Sequence, residues 1–324
     1  MMRELSFSEA IFEAISEEMD RDERVFYMGT DVPPSGIGPL GELREKYPER
    51  VRLAPITEGT NAGAAIGAAA VGLRPVVNFL LCNFAFGAFD QIANHAACFH
   101  YMYGGQASLP IVFRQTVGAG RGSAAQHSST VYSIYMNIAG LKIVVPSCAY
   151  DAKGLLKSAI RDGNPVLFFE DNMLGTVKEA VPKEEYLVPL GSAAVRREGS
   201  DVTVVALASL VSIALDLAGQ FAGEGVEIEV LDPRSLVPFD DEAFHRSVRK
   251  TGRLVILDRS NRTASAAAEI AARACEDWQT FKSLRAPIQR VCTSDTPVPY
   301  SAPLEDYILP NREKARAAIQ RLLM

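Results

Sequence analysis

Short runs of apolar residues alternate with helix-like segments along this chain, and the runs are apolar throughout. They read RVFYMG (24–29), RVRLAPI (50–56), RPVVNFLL (74–81), LPIVFRQ (109–115), LKIVVPS (141–147) and PVLFFE (165–170). Between them, helical spacing falls at about 7–19, 61–72, 85–102, 129–138 and 151–161. A strand with one face in water alternates apolar and polar residues. A strand covered on both faces does not, and that is the mark of a parallel sheet with helices on both sides. The stretch 173–201 breaks the rhythm with KEAVPKEEYLVPLG and VRREGSD. After it the alternation resumes. Strands are expected at 201–207, 226–232, 253–258 and 286–292, and helices at about 210–223, 240–250, 264–277 and 312–323. The pattern predicts an α/β protein of two domains, 1–188 and 189–324, each a mostly parallel sheet flanked by helices. A length of 324 residues agrees with two cores.

Bulk properties narrow the function. The net charge of −6 argues against nucleic acid as a partner. The N-terminus is acidic and amphipathic, without an apolar signal core. The longest apolar runs are about half the ~20 residues a membrane span needs. Cys82, Cys98, Cys148, Cys275 and Cys292 form no CxxC pair and read as reduced thiols in a cytoplasmic protein.

One stretch combines a single acid with very little side-chain bulk: APITEGTNAGAAIGAAAVGLRP, residues 54–75. Gly63, Ala64, Gly67 and Ala68 place small residues three and four apart. Glycine in a helix costs roughly 1 kcal/mol relative to alanine. Close packing is the expected compensation, either inside the chain or across a subunit interface. Glu58 follows a strand at its carboxyl end, the edge where open α/β sheets bind ligands. The same position also suits a simple partner for the helix dipole.

Other motifs are weaker. GAGRGSAAQHSS (118–129) is a Gly-rich turn, but its spacing is not GxGxxG and no GK[ST] follows. It does carry His127. NHAACFH (94–100) offers His95, Cys98 and His100, of which the last points away from the first on an α-helix, so a zinc site is not expected. No GxSxG elbow is present.

ITEGTNAGAAIGAA, FLLCNFAFGAFDQ, YMYGGQASLPIVFR, GSAAQHSS, AGLKIVVPS, DAKGLLKSAIRDGNPVLFFE, LVPLGSAAVRREGSDVTVVA, TGRLVILD and VPYSAPLEDYILP form an ordered set. In this order they resemble the β subunit of heterotetrameric thiamine diphosphate-dependent 2-oxo acid dehydrogenases, the decarboxylating components for pyruvate, branched-chain acids and acetoin. The resemblance covers about residues 4–323. It implies a pyrimidine-binding domain followed by a transketolase C-terminal domain. It implies that Glu58 hydrogen-bonds the aminopyrimidine of thiamine and favours the imino tautomer that removes the thiazolium C2 proton, a case of one protein acid tuning a cofactor. Phe84 would pack on the pyrimidine and Ile56 would line the same pocket. His127 would handle a proton or the later acyl transfer. Ile111, Ala159, Ile160, Asp162 and Asn164 would hold a structural potassium ion, mostly through backbone carbonyls.

The chain has no GDG…N motif for Mg²⁺ and the diphosphate. The resemblance therefore implies an α subunit that supplies that half, most simply in an α2β2 assembly. The expected reaction takes a small 2-oxo acid or acyloin and passes an acyl group to the lipoyl group of an acyltransferase. An alternative is a stand-alone two-subunit thiamine enzyme with another acceptor. A nucleotide-binding oxidoreductase and a non-catalytic interaction subunit fit the residues less well. Four departures from the family pattern bear on substrate and acceptor: Thr30 in place of an acid, Gly87 in place of a polar residue, Asn137 in place of a histidine, and DRSNRTASAAAE (258–269) in place of the usual HEDPRTGGFGAE-like turn.

Overall fold

The computed structural model describes residues 2–324, which divide into two compact units. The first takes the chain up to Val117 together with Ile134–Leu190, and the second takes Gly118–Ser133 and Gly191–Met324.

In chain order the first unit opens with β1 (Met2–Ser6), α1 (Phe7–Arg21), β2 (Val25–Gly29), α2 (Gly38–Lys46) and β3 (Val51–Leu53). It continues through α3 (Glu58–Ala70), β4 (Arg74–Leu81), a 3-10 turn (Phe84–Ala88), a π-helical turn (Gln91–Ala96), α4 (Phe99–Met102) and β5 (Val112–Val117). The chain re-enters the first unit within α5 (Tyr132–Met136), and β6 (Lys142–Val144), α6 (Ala149–Arg161), β7 (Val166–Asp171) and β8 (Lys178–Pro182) follow. Six strands pair in the order β3–β2–β4–β5–β7–β6, all parallel. The central strands are buried on both faces, as their unbroken apolar sequences require.

Helix α1 starts where a capping box allows it. Ser6 Oγ accepts from Glu9 N at 3.2 Å, and Glu9 returns the bond to Ser6 N at 2.7 Å. Phe7, Ile11, Ala14, Ile15 and Met19 recur at helical spacing and are buried. Against them lies α6, whose buried Lys153 and Lys157 reach Glu17 at 2.6 and 2.5 Å. The fully buried Glu18 is held by Arg161 at 2.7 Å.

The second unit contains β9 (Ala194–Arg197), β10 (Val202–Ala206), α7 (Leu210–Ala222), β11 (Ile228–Asp232), β12 (Ser235–Val237), α8 (Asp241–Thr251) and β13 (Leu254–Asn261). It ends with α9 (Ala266–Glu276), α10 (Trp278–Ser283), β14 (Gln289–Thr293), α11 (Ala302–Ile308) and α12 (Arg312–Leu323). Its sheet runs β9–β11–β10–β13–β14, parallel except for β9. Helices α7 and α12 pack with the sheet in one core, and α8 and α9 in another. Helix α8 stops at Gly252, whose φ of 69° is left-handed and whose missing Cβ would stand 2.7 Å from Ser283 O.

The structure corrects several expected elements. The run 50–56 yields only β3, because Pro55 cannot donate to the ladder and Leu53 and Ile56 lie exposed. The expected helix over 85–102 is broken into 3-10, π and α turns. The charged stretch 173–201 contains β8 and β9. Strand β8 pairs antiparallel with β1 across most of the first unit, a long-range partnership with no local sequence signal.

Candidate active site

Glu58 opens α3 just beyond the carboxyl end of β3. The approach is fixed by the backbone. Ala54 N donates to Gly29 O at 2.9 Å, and the buried Asn61 side chain donates to Pro55 O at 2.9 Å. Glu58 itself is half-buried, and its carboxylate forms no hydrogen bond or ion pair among the described residues. The 3-10 turn carrying Phe84 and Gly87 packs against it. A Cβ on Gly59 would approach Gly87 O to 3.1 Å, so glycine at 59 lets this turn close on the helix. A Cβ on Gly87 would lie 3.5 Å from Glu58 Oε2. The residue that departs from the family's polar position thus leaves one side of the acid bare. Phe84 is half-buried and Ile56 is 81% exposed at the same strand edge.

Beside this edge, β4 ends in a register shift, and Leu80 is held at φ 65° with its N–H on Asn78 Oδ1 at 3.2 Å. Asn78 also donates to Asp31 at 2.8 Å. Asp31 thus places an acid next to Thr30, the position at which the resemblance expects one. Left-handed leucine costs of order 1–3 kcal/mol and marks a place over-determined by its surroundings. Sequence reading gave no sign of it.

His127 belongs to the second unit. It ends the 3-10 turn Ala125–His127 and is exposed. Its loop is tied down by acids that sequence reading did not single out. Glu305, only 4% exposed, accepts from Gly120 N at 2.7 Å and Gly122 N at 3.0 Å. Asp258, fully buried, accepts from the Tyr132 hydroxyl, from Ser260 N at 2.8 Å and from Ala267 N at 2.9 Å. Arg259 donates to Ala119 O. The Gly-rich turn is therefore a mooring for the His127 loop. The available sequence signal for Glu305 was an acid inside an otherwise apolar PLEDYILP.

The residues assigned by resemblance to potassium gather at the carboxyl end of α6, where the helix dipole favours a cation. The chain supplies one there: Arg74 Nη1 donates to Ile160 O at 2.7 Å and Asp162 O at 3.1 Å. Ala159 O accepts from Asp162 N at 3.3 Å, and Ile111 O from Val166 N at 2.9 Å. Burial opposes ionisation of Asp162, but Lys142 and Asn164 hold its carboxyl below the usual range. The five residues thus lie together, with the Ile160 and Asp162 carbonyls accepting from Arg74.

Side chains at the zinc-like stretch go separate ways. His95 lies 3.6 Å from Asp90, His100 Nδ1 meets Ala107 O at 2.7 Å, and Cys98 Sγ faces Ala93 O. No group of three or more His, Cys, Asp or Glu among the described residues is arranged to hold a metal. No helix among them is long and apolar enough to cross a membrane.

The transketolase pyrimidine-binding domain matches residues 3–176, and the transketolase C-terminal domain matches residues 191–314. The chain belongs to this transketolase-like family. Within it, the chain belongs with the β subunits of thiamine diphosphate-dependent 2-oxo acid dehydrogenases, enzymes that work with an α subunit. It is 44% identical, over 100% of its own length and 98% of the relative's, to the acetoin:2,6-dichlorophenolindophenol oxidoreductase subunit beta of Bacillus subtilis (strain 168). It is 42% identical to the pyruvate dehydrogenase E1 component subunit beta of Rickettsia felis, covering 98% of both chains. A solved split-gene transketolase, described as an inactive beta4 tetramer, shares the fold with a TM-score of 0.81 at 24% identity, covering 98% of each chain.

Proposed function

We propose that this chain contributes the pyrimidine half of a thiamine diphosphate site completed by an α subunit in an α2β2 assembly. The assembled enzyme decarboxylates a small 2-oxo acid and delivers the acyl group to a lipoyl acceptor. The observation that carries this is Glu58: a carboxylate without a protein partner, at a helix start on the carboxyl edge of a parallel sheet, backed by a glycine with no side chain. An acid left in that state suits a ligand that donates a hydrogen bond.

Thiamine diphosphate, when bound, supplies the electron sink for cleavage beside the substrate carbonyl. Glu58 would accept a hydrogen bond from a pyrimidine ring nitrogen and hold that proton. Phe84 and Ile56 would cover the ring from water. His127 would serve as proton donor and acceptor toward the reacting group. Mg²⁺ falls to the α subunit. Potassium, where bound, would use the carbonyls of Ile111, Ala159, Ile160 and Asp162 with Asn164, sharing them with Arg74. Exposed Ile56, Leu80, Phe86, Phe89, Tyr101 and Met102 on the first unit support a partner chain there. The five cysteines, none of them in a disulfide, support a reducing, cytoplasmic setting.

A second reading replaces the 2-oxo acid with an acyloin. It is favoured by the two acetoin-named relatives, at 44% and 41% identity. Both readings use the same residues.

The test is reconstitution. The chain is titrated with Mg²⁺–thiamine diphosphate by calorimetry, alone and co-expressed with a partner bearing GDG…N. Weak binding alone and one site per αβ pair is expected. Pyruvate and acetoin are then compared, with a lipoyl domain or a dye as acceptor. Tight stoichiometric binding by the chain alone would overturn the shared-site reading.

A further inference from the structure

The second unit has its own carboxyl edge. Strands β10, β11, β13 and β14 are parallel, and the order β11–β10–β13–β14 reverses direction between β10 and β13. In open α/β sheets the crevice outside such a reversal is where ligands bind. At the carboxyl ends of β13 and β14, beside that reversal, lies a cavity of about 130 Å³ whose lining is part apolar and includes Ala125, Ser128, Thr130, Arg259, Asn261 and Thr293. A water occupies about 30 Å³ of liquid, so the space equals roughly four waters.

Three features make this a built site. Ser128 is 3% exposed, and its buried Oγ has no hydrogen-bond partner. An unpaired buried hydroxyl is costly unless something fills the cavity and meets it. The lining contains one guanidinium, several hydroxyls and an amide, and no carboxylate. The loops around it are held in rare backbone geometry. Ala124, Ala208 and Ala264 all have left-handed φ, at 59°, 50° and 52°. Ala208 precedes Ser209, whose Oγ receives Arg259 Nη1 at 3.0 Å. Non-glycine residues in this region cluster where ligands are held. The stretch that departs from the family turn, DRSNRTASAAAE, is the one that supplies Arg259 and Asn261.

We propose that this cavity binds a small oxyanion, a phosphate or a short carboxylate, with Arg259 as its charge partner and Ser128 and Thr130 as hydrogen-bonding groups. Ser128 directly follows His127, and Ala125 begins the same turn.

The full-length chain is titrated by calorimetry with sodium phosphate and, separately, sodium acetate, at constant ionic strength in chloride. One saturable site per chain is expected for one of the two ions, which identifies the class. Ser128→Ala and Thr130→Val should each weaken binding at least fivefold without lowering the Tm of the unliganded chain. Arg259→Gln should abolish it, and Arg259→Lys should restore part of it. If Arg259→Gln does not fold, the two hydroxyl variants still decide. Glu58→Gln should leave anion binding unchanged, which separates this site from the thiamine reading. Failure of both ions to saturate, or binding that survives Ser128→Ala and Thr130→Val unaltered, overturns the proposal.

Discussion

Glu58 and Glu305 are both glutamates near the start of a helix, one in each unit, and their surroundings assign them opposite tasks. Glu305 is buried and spends both oxygens on the backbone amides of Gly120 and Gly122. Glu58 is half-buried and spends neither on the described chain. An acid that satisfies its own protein is structural. An acid left unsatisfied at a sheet's carboxyl edge is available to a ligand. The same contrast holds for the edges as a whole. The second unit ties its loop with Asp258, Arg259 and Glu305, while the first leaves apolar side chains such as Ile56, Phe86 and Tyr101 in water.

Exchanging the two acids' fates is the sharpest way to break this comparison. Glu58→Gln should lower turnover of the assembled enzyme by roughly 10²–10⁴, about 3–5 kcal/mol of barrier, with Tm unchanged. Hydrogen–deuterium exchange at thiamine C2 reads the effect directly. Exchange as fast as wild type would make Glu58 a mere helix-end carboxylate. His127→Ala should slow turnover by roughly 10²–10³ with Tm nearly constant. A normal rate with a lowered Tm would return this histidine to a structural role.

Glu305→Ala should show the reverse signature. Two backbone amides lose their acceptor, at a cost of about 2 kcal/mol, or roughly 4–8 °C in Tm. Glu305→Gln keeps one acceptor and should lose about half as much. A Tm unaffected by either change would show that the loop is not moored there.

Within the first unit, Arg74→Ala should cost about 1–2 kcal/mol, because it removes a charge-assisted donor from two carbonyls. Potassium chloride should restore more of the lost Tm than sodium chloride at equal ionic strength. Equal rescue by both salts would remove the α6 carboxyl end as a potassium site.

The smallest effect concerns pH. Hydrogen bonds from Arg24, with Arg74 nearby, hold the Asp22 carboxyl down at about 2. A depressed folded value contributes stability above the unfolded value of about 3.9, and that contribution fades as pH falls from 4 toward 2. The pair is close to solvent, so less than about 1 kcal/mol is involved. Asp22→Asn should flatten that part of the acid-denaturation curve, and a curve of unchanged slope would count against the pairing.

Much of this protein was legible in its sequence because the signals are local. Apolar runs without alternation gave β4 and β7 nearly to the residue and placed β5 two to three residues early, since burial on both faces leaves no polar position. Helical spacing gave α1, α6, α7 and α12 because each buries one face, so apolar residues recur at the helical period. Glu58 at the end of a strand was visible too. Tertiary structure alone decided what depends on distant partners. β8 exists because β1 lies beside it, and neither segment announces the other. The helix expected over 85–102 breaks into turns. Residues 118–133 join the second unit because Glu305 and Asp258, more than a hundred residues later, satisfy its amides and its tyrosine. The chain names each acid, but only packing determines which of them finds a hydrogen-bond donor and which is left to wait for one.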